Sequence, residues 1–192
     1  MREQTLVLIK PDAVQRGLIG EIVSRFERCG LKIIGLKMVQ PDSDLAGKHY
    51  EVDEEWLLNI GIKQKKNAEA KGKTFDVDPI KFGMQIRQYL IDFLRMSPVV
   101  AIALDGHNAI DHVRKVVGQT SPQDSMPGTI RGDFSFDSYE LADNSNRTIQ
   151  NLIHASSSTV DAKRELGLWF TKEELLMWER VDEALLYRKV KK

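Results

Sequence analysis

The sequence predicts a single domain in which β-strands alternate with α-helices. Two observations carry this prediction: short aliphatic runs recur along the chain, and the segments between them place apolar residues at helical spacing. The 192 residues suffice for one well-buried core and do not argue for two. With 42% hydrophobic and 29% charged residues, the composition is that of an ordinary folded protein. We therefore treat residues 1–192 as one domain.

The first quarter of the chain predicts a β-α-β unit followed by a short helix. Residues 5–9 form an aliphatic strand that ends before Pro11, since proline has no N–H for a ladder. A helix follows and ends before Gly30; its apolar residues at helical spacing are Ile19, Ile22, Val23 and Phe26. Residues 31–39 predict a central strand, and Asp42 offers an N-cap for a helix ending near Tyr50.

The middle of the chain predicts a second β-α pair. Residues 51–78 are rich in lysine and poor in apolar anchors, which indicates a surface excursion. A longer helix then ends at Pro98; its spaced apolar residues are Phe82, Ile86, Tyr89, Leu90 and Phe93. Residues 99–104 are almost wholly apolar, as in an interior strand, and residues 110–117 restore a helical period.

The last part of the chain predicts a long loop, one strand and two helices. Residues 118–138 are rich in Gly, Pro, Ser, Thr and Asp, which indicates an irregular loop, and long ordered loops often carry function. Residues 148–154 predict the last strand and residues 159–166 a helix. A capping box at 171–174 predicts a terminal helix, with a stripe formed by Leu175, Trp178, Val181 and Leu185.

Charge and cysteine content exclude several classes of protein. The 28 basic residues balance the 28 acidic ones, so the whole chain has no net attraction for nucleic acid or an anionic membrane. Cys29 is the only cysteine, which rules out an intramolecular disulfide and fits a reducing compartment. We expect no signal peptide and no membrane span, and a cytoplasmic location.

His154 is the candidate nucleophile. It follows a strand-like run, Asn151 and Ser156 flank it, and Glu165 on the next helix could point back toward it. A carboxylate that fixes the tautomer of an imidazole leaves the other ring nitrogen free to attack phosphorus. The competing interpretation is a structural histidine, as we expect for His49, His107 and His112, which lack helpful neighbours.

Four residues predict a phosphate site that is built from side chains. Lys10 follows the first strand, Arg114 lies on a helix, and Thr120 and Arg131 lie near the two ends of the irregular loop. Arginine suits the planar, bidentate capture of phosphate oxygens. Since no Walker-type glycine-rich run is present, a P-loop is not supported. Tyr50 is either a core residue or a hydroxyl that steadies the imidazole or its phosphate.

The chain resembles the nucleoside diphosphate kinase family in four motifs that occur in the family's order. They are IKPDAVQRGL at 9–18, PGTIRGDF at 127–134, NLIHAS at 151–156 and ELGLWF at 165–170. The resemblance implies a ferredoxin-like α+β fold, with a four-stranded antiparallel sheet and helices packed on one face. It also implies insertions at about 51–80 and 138–148, and assembly as a hexamer or tetramer.

The same resemblance implies a ping-pong transfer of the γ-phosphoryl group, usually from ATP, to a nucleoside diphosphate. His154 would be the phosphorylated residue, and Ser156 and Glu165 would position it. The nucleotide site would be lined by Lys10, Tyr50, Arg114, Thr120, Arg131 and Asn151. Mg²⁺ would arrive on the nucleotide phosphates, without a metal site of the protein's own.

Three departures from the family pattern motivate alternatives. Ala155 and Ser157 stand where the family usually has Gly and Asp. The excursion after Tyr50 leaves the aromatic residue that stacks on the base without a secure counterpart, and a second insertion at about 138–148 separates Arg131 from His154 by more residues than usual. One alternative is therefore a weak or inactive relative that binds nucleotide or a protein. A weaker one is nucleic-acid binding through the lysine-rich excursion, with residues Lys63, Lys65, Lys66, Lys71 and Lys73. We do not expect nucleic acid as a partner, because the cluster lacks interleaved aromatic residues.

Overall fold

The computed structural model describes residues 2–70, 72 and 74–187. Its sheet has four strands, β1 (Arg2–Ile9), β2 (Lys32–Val39), β3 (Val99–His107) and β4 (Ile153–Ala155). The strand order is β2-β3-β1-β4, and every neighbouring pair is antiparallel. This is the ferredoxin-like order, so the predicted α+β class is confirmed.

Helices connect and cover the strands. In chain order they are α1 (Pro11–Gln15), α2 (Ile19–Arg28), α3 (Ser43–His49), α4 (Glu54–Ala70), α5 (Pro79–Arg95), α6 (Ala109–Val117), α7 (Ile130–Phe134), α8 (Tyr139–Asn144), α9 (Thr159–Trp169) and α10 (Glu183–Leu186). A 3₁₀ turn spans Pro122–Asp124. None of the helices in the described part of the chain is long and apolar enough to cross a membrane.

The helices pack on both faces of the sheet, and the prediction of a single covered face is wrong. Val7 of β1 and Ile102 of β3 face α2 and α6 in one buried cluster. Leu6 and Leu8 belong to a second cluster with residues of α3, α5 and α9. Successive side chains of a strand point to opposite faces, so the fully apolar runs of β1 and β3 serve both clusters.

The predicted surface excursion contains a helix of 17 residues, α4, which packs against α5. Two glycines allow this close approach: a Cβ at Gly61 would lie 2.2 Å from the carbonyl oxygen of Pro79. A Cβ at Gly83 would lie 2.3 Å from the carbonyl oxygen of Leu57. Gly61 is the only buried residue of α4, so the helix lacks the wide apolar stripe that identifies an amphipathic helix in a sequence. Lys71 and Lys73 of the lysine cluster lie outside the described residues.

Three other predicted elements differ from the structure. The loop at 118–138 contains α7, and the last strand is limited to β4. The predicted terminal helix is wrong for most of its length, because among the described residues 171–187 only Glu183–Leu186 is helical. Instead, the N–H of Leu176 donates to the carbonyl of Ile34, 2.7 Å away, so the chain there lies along the β2 edge. That edge satisfies backbone groups that a helix would have satisfied internally.

The segment that contains α8 is closed at its base by an ion pair. The Arg147 guanidinium donates to both oxygens of Asp137, at 2.6 and 3.0 Å. Asp137 also accepts from the N–H of Gln150 at 2.7 Å. Because these bonds join the two ends of the segment, the chain returns to the sheet directly before Asn151.

Candidate active site

A strained turn leads into β4 and aims its side chains. Leu152 has φ of 68°, which is left-handed backbone and uncommon for a branched residue, and the N–H of Ile153 bonds back to the carbonyl of Asn151 at 2.8 Å. Two bonds hold the turn: Leu152 N–H donates to the Asp12 carboxylate at 2.9 Å, and its carbonyl accepts from Lys10 N–H at 2.8 Å. The surroundings therefore enforce the strained conformation, as is common at functional sites.

The imidazole of His154 lies beside the Glu165 carboxylate, as the sequence predicted. Nε2 of His154 is 2.9 Å from Oε2 of Glu165, and the Ser156 hydroxyl donates to the same oxygen at 2.7 Å. Ser156 and Glu165 are buried, whereas the His154 side chain is 23% exposed. A carboxylate oxygen that accepts from both partners assigns the imidazole proton to Nε2, so the lone pair is on Nδ1.

Lys10 and Asn151 form a buried pair next to this imidazole. The Lys10 ammonium donates to Oδ1 of Asn151 at 2.8 Å, and Nδ2 of Asn151 donates to the carbonyl of Thr120 at 2.8 Å. Burial, and then the neighbouring charge of Arg131, lower the pKa of Lys10 to about 8. The ammonium thus lacks a full counter-charge, and an anion in the cleft would supply it.

Arg131 connects several segments of the site. Its guanidinium donates to the carbonyls of Gly118, Gln119, Asn151 and Ile153, at 2.7 to 3.2 Å. Burial lowers its pKa to about 10, so it stays cationic at neutral pH. Most of its N–H groups face carbonyls, and the bidentate capture of phosphate that the sequence suggested is not available in this conformation. Arg131 contributes charge and rigidity.

An open cleft of about 960 Å³ brings the predicted residues together. It is lined by Lys10, Arg114, Thr120, Arg131, Asn151 and His154, together with neighbours that include Lys115 and His112. Arg114 is exposed at this cleft. No described residue lining the cleft is a carboxylate. The cleft therefore attracts polyanions and offers a metal cation none of the hard oxygen ligands of acidic side chains.

Tyr50 does not line the cleft but lies behind it. Its hydroxyl is buried and has no hydrogen-bond partner among the described residues. Burial, followed by the charges of Glu165 and Asp12, raises the pKa of Tyr50 well above its usual range. The hydroxyl therefore keeps its proton and remains a donor.

The expectation that His49 lacks helpful neighbours is wrong. It is 3% exposed, and its ring centroid lies 4.5 Å from that of His154. Trp169 also touches His49, and Asp12 holds the turn at Leu152, so sequence reasoning missed three residues of the site. For His49 a signal existed, because it shares a helical face with Leu45 and Ala46.

The residues that depart from the family pattern leave the imidazole network intact. The Ser157 hydroxyl bonds to the carboxylate of Asp161 in the first turn of α9. A carboxylate is therefore still present near this position, although it is supplied from the helix. The Ser156, Glu165 and His154 bonds are all formed, so the geometry does not favour an inactive relative.

A family model described as nucleoside diphosphate kinase matches residues 3–57 and 82–175. The chain belongs to the nucleoside diphosphate kinase family. Among its relatives, the nucleoside diphosphate kinase of Pyrobaculum aerophilum is 45% identical over 179 residues, covering 91% of this chain and 98% of that protein. The enzyme of the same name from Pyrococcus furiosus is also 45% identical, over 90% of this chain and 86% of the other.

Solved structures agree with this assignment. The NDP kinase structure from Pyrobaculum aerophilum superposes with a TM-score of 0.87 at 43% identity, covering 92% of this chain and all of that one. A Borrelia burgdorferi nucleoside diphosphate kinase with bound vanadate and ADP has a TM-score of 0.80 at 38% identity, with 96% of each chain covered. Members of the nucleoside diphosphate kinase family are phosphotransferases, and this chain is an enzyme that transfers the γ-phosphoryl group of a nucleoside triphosphate to a nucleoside diphosphate.

Proposed function

We propose that Nδ1 of His154 carries the phosphoryl group between the two nucleotides. The observation that carries this proposal is the hydrogen bond from His154 Nε2 to a Glu165 oxygen that also accepts from Ser156. It fixes the tautomer whose free lone pair is on Nδ1, on an imidazole that lines a cationic cleft.

The transfer proceeds in two steps, phosphorylation of His154 and transfer of its phosphoryl group to the second nucleotide. The Nδ1 lone pair attacks the γ-phosphorus, the bond from this phosphorus to the bridging oxygen breaks, and the nucleoside diphosphate leaves with that electron pair. A terminal oxygen of the second diphosphate then attacks the same phosphorus, and the P–N bond breaks to restore the lone pair. While His154 is phosphorylated its ring is positively charged, and the Glu165 carboxylate stabilises this charge.

The remaining residues of the site hold the phosphates. Lys10, Arg114 and Arg131 supply positive charge, while Thr120 and Asn151 supply hydrogen-bonding groups at the cleft. The hydroxyl of Tyr50 lies behind the cleft and has no hydrogen-bond partner among the described residues, so it is a spare donor for steadying the imidazole or its phosphate. Because these contacts involve only phosphate and sugar groups that all nucleotides share, we expect broad base specificity.

We propose that ATP with Mg²⁺ is the usual phosphoryl donor. The absence of carboxylates among the described lining residues fits an ion that is delivered on the nucleotide phosphates. When bound there, Mg²⁺ supplies neutralisation of phosphate charge during transfer. The ADP in the Borrelia burgdorferi relative supports an adenine nucleotide in this cleft.

Three further proposals concern the whole chain. We propose that residues 1–192 form one domain, with insertions at about 51–80 and 138–148 relative to shorter family members. The match to the family model supports the first insertion, because it skips residues 58–81. The match runs without a break through 138–148, so it gives no support to the second insertion. We also propose a cytoplasmic location and a homo-oligomer, either a hexamer or a tetramer.

The test is transfer of label from ATP that is labelled in its γ-phosphate. We expect a label on His154 that is labile in acid and stable in base, and that a nucleoside diphosphate removes. His154→Asn should abolish it. The matched control is His107→Asn, because His107 pairs with Arg2 at the opposite end of β1. Undiminished label in His154→Asn would disprove the proposed role of His154.

A further inference from the structure

A second histidine lies against the proposed nucleophile. The rings of His49 and His154 are 4.5 Å apart and nearly perpendicular, with an interplanar angle of 85°. One ring nitrogen of each histidine and one Glu165 oxygen lie within 4.8 Å of one another. Two imidazoles and a carboxylate form a typical ligand set for Zn²⁺.

Such a ligand set would inhibit this enzyme if it bound a metal ion. His154 is partly exposed to a cleft that receives nucleotides, and nucleotides carry divalent cations. A transition metal bound among the three groups would occupy the imidazole and prevent its attack on phosphorus. The site therefore needs a property that weakens metal binding while keeping these side chains together.

The hydrogen bond between Trp169 and His49 provides this property. The indole Nε1 of Trp169 lies 3.3 Å from Nδ1 of His49, and an indole nitrogen can only donate. A neutral imidazole that accepts at Nδ1 carries its proton on Nε2.

Neither nitrogen of His49 then offers a lone pair to a metal ion. The lone pair on Nδ1 is used by Trp169, and Nε2 bears the proton. Nε2 is buried and has no hydrogen-bond partner among the described residues, so nothing there draws the proton away. Binding a metal through Nε2 would move the proton to Nδ1 and set two N–H groups of His49 and Trp169 against each other.

We propose that Trp169 locks His49 in the Nε2-protonated tautomer and so prevents the cluster of His49, His154 and Glu165 from capturing a transition-metal ion. The role of Trp169 is thus protection of the nucleophile, in addition to packing. The protective role rests on the proposed function of His154, whereas the tautomer and the metal binding are properties of the nucleotide-free protein and are measured without phosphorylation.

The tautomer is measured directly by ¹⁵N NMR of the histidine side chains in the unmodified protein. The chain has only four histidines, so each can be assigned by substitution. We expect His49 to show a protonated Nε2 and a bare Nδ1 at neutral pH. A proton on Nδ1, or a doubly protonated ring, would overturn the proposal even if no variant folds.

The consequence is measured by zinc binding in the absence of nucleotide. Trp169→Phe keeps an aromatic ring but removes the donor, so we expect Zn²⁺ to bind at least about tenfold more tightly, by competition with a chromophoric chelator. Trp178→Phe is the matched control, because the indole of Trp178 donates to the carbonyl of Ile33 on the β2 edge. It should not change zinc affinity.

A double variant assigns the gained affinity to His49. Adding His49→Phe to Trp169→Phe should remove the tighter zinc binding, since one ligand is lost. If Trp169→Phe gains no zinc affinity, or if the double variant retains the gain, the lock does not exist. Since no nucleotide is present, these outcomes are independent of the transfer assay for His154.

Discussion

At the scale of single residues, the buried charge of Lys10 makes nucleotide binding depend on pH. The free protein holds the pKa of Lys10 at about 8, because burial disfavours the ammonium. A bound polyphosphate favours the charged form and raises that pKa toward the ordinary value of about 10.5. Binding above pH 8 must therefore take up a proton, whereas binding at pH 6 involves none from Lys10.

We expect an uptake of roughly half a proton at pH 8 and nearly one at pH 9, from the ratio of the two forms of Lys10. The measurement is calorimetric titration of nucleotide in two buffers with different ionisation enthalpies. In Lys10→Met, the number of protons taken up per mole of bound nucleotide should be smaller by this amount. Equal uptake in both proteins would show that Lys10 is already fully charged when the cleft is empty.

Glu165 is predicted to act through the tautomer of His154. Glu165→Gln places an amide against Nε2. When the NH₂ group of this amide donates to Nε2, the imidazole proton moves to Nδ1, and the lone pair that attacks phosphorus is lost. The rate of phosphorylation in a single turnover should fall on the order of 10²- to 10⁴-fold. Ser156→Ala leaves Glu165 as an acceptor and should cost roughly tenfold. Similar losses in both variants would argue against a tautomeric role.

The sequence predicted the residues whose chemistry is visible in a motif. His154, Lys10, Arg131 and Asn151 all lie at one cleft, as expected. His49 and Trp169 escaped prediction because their importance comes from a contact between α3 and α9, 120 positions apart in the chain. Sequence spacing places His49 on the apolar face of α3, but it carries no information about which residue of α9 that face contacts.

At the scale of elements, the close packing of α4 on α5 requires two glycines. Gly83→Ala would place a methyl group 2.3 Å from the carbonyl oxygen of Leu57, so the helices would have to separate. We expect the free energy of unfolding to fall by about 1–3 kcal/mol in urea titrations. Gly20→Ala in α2 meets nothing within 4 Å and should be neutral or stabilising by up to about 1 kcal/mol. An unaffected Gly83→Ala would show that the two helices do not pack this closely.

The elements that the sequence predicted are those with a continuous apolar signal. β1 and β3 are buried on both faces and read as aliphatic runs, and α2 and α6 show a clear helical period. The predicted terminal helix failed because the second half of its apolar stripe does not reach the core: Leu175 packs against it, but Val181 is fully exposed and Leu185 is 77% exposed. The capping box is half formed, with Thr171 N–H donating to Glu174 at 2.8 Å. Local capping therefore did not suffice to form a helix.

At the scale of the whole molecule, the open part of the β2 edge favours assembly with other copies. Leu36 and Met38 on this edge strand are 50% and 58% exposed, which leaves an apolar strip along the edge of the sheet. We expect Leu36→Glu combined with Met38→Glu to reduce the size of the assembly in sedimentation velocity. Val160→Glu, which alters an exposed apolar residue of α9, serves as the control. Unchanged sedimentation of the double variant would place the contact elsewhere.

The ion pair of Asp137 and Arg147 has a consequence for how this chain tolerates changes in length. It fastens the two ends of a nine-residue detour, residues 138–146, so this detour can become longer or shorter without altering the path that leads to Asn151. Deleting one residue between Gln150 and His154 would instead turn the imidazole to the other side of the sheet. A peptide tag grafted at 140–146 should therefore leave turnover intact, which makes this detour the natural attachment point for a probe or a tether.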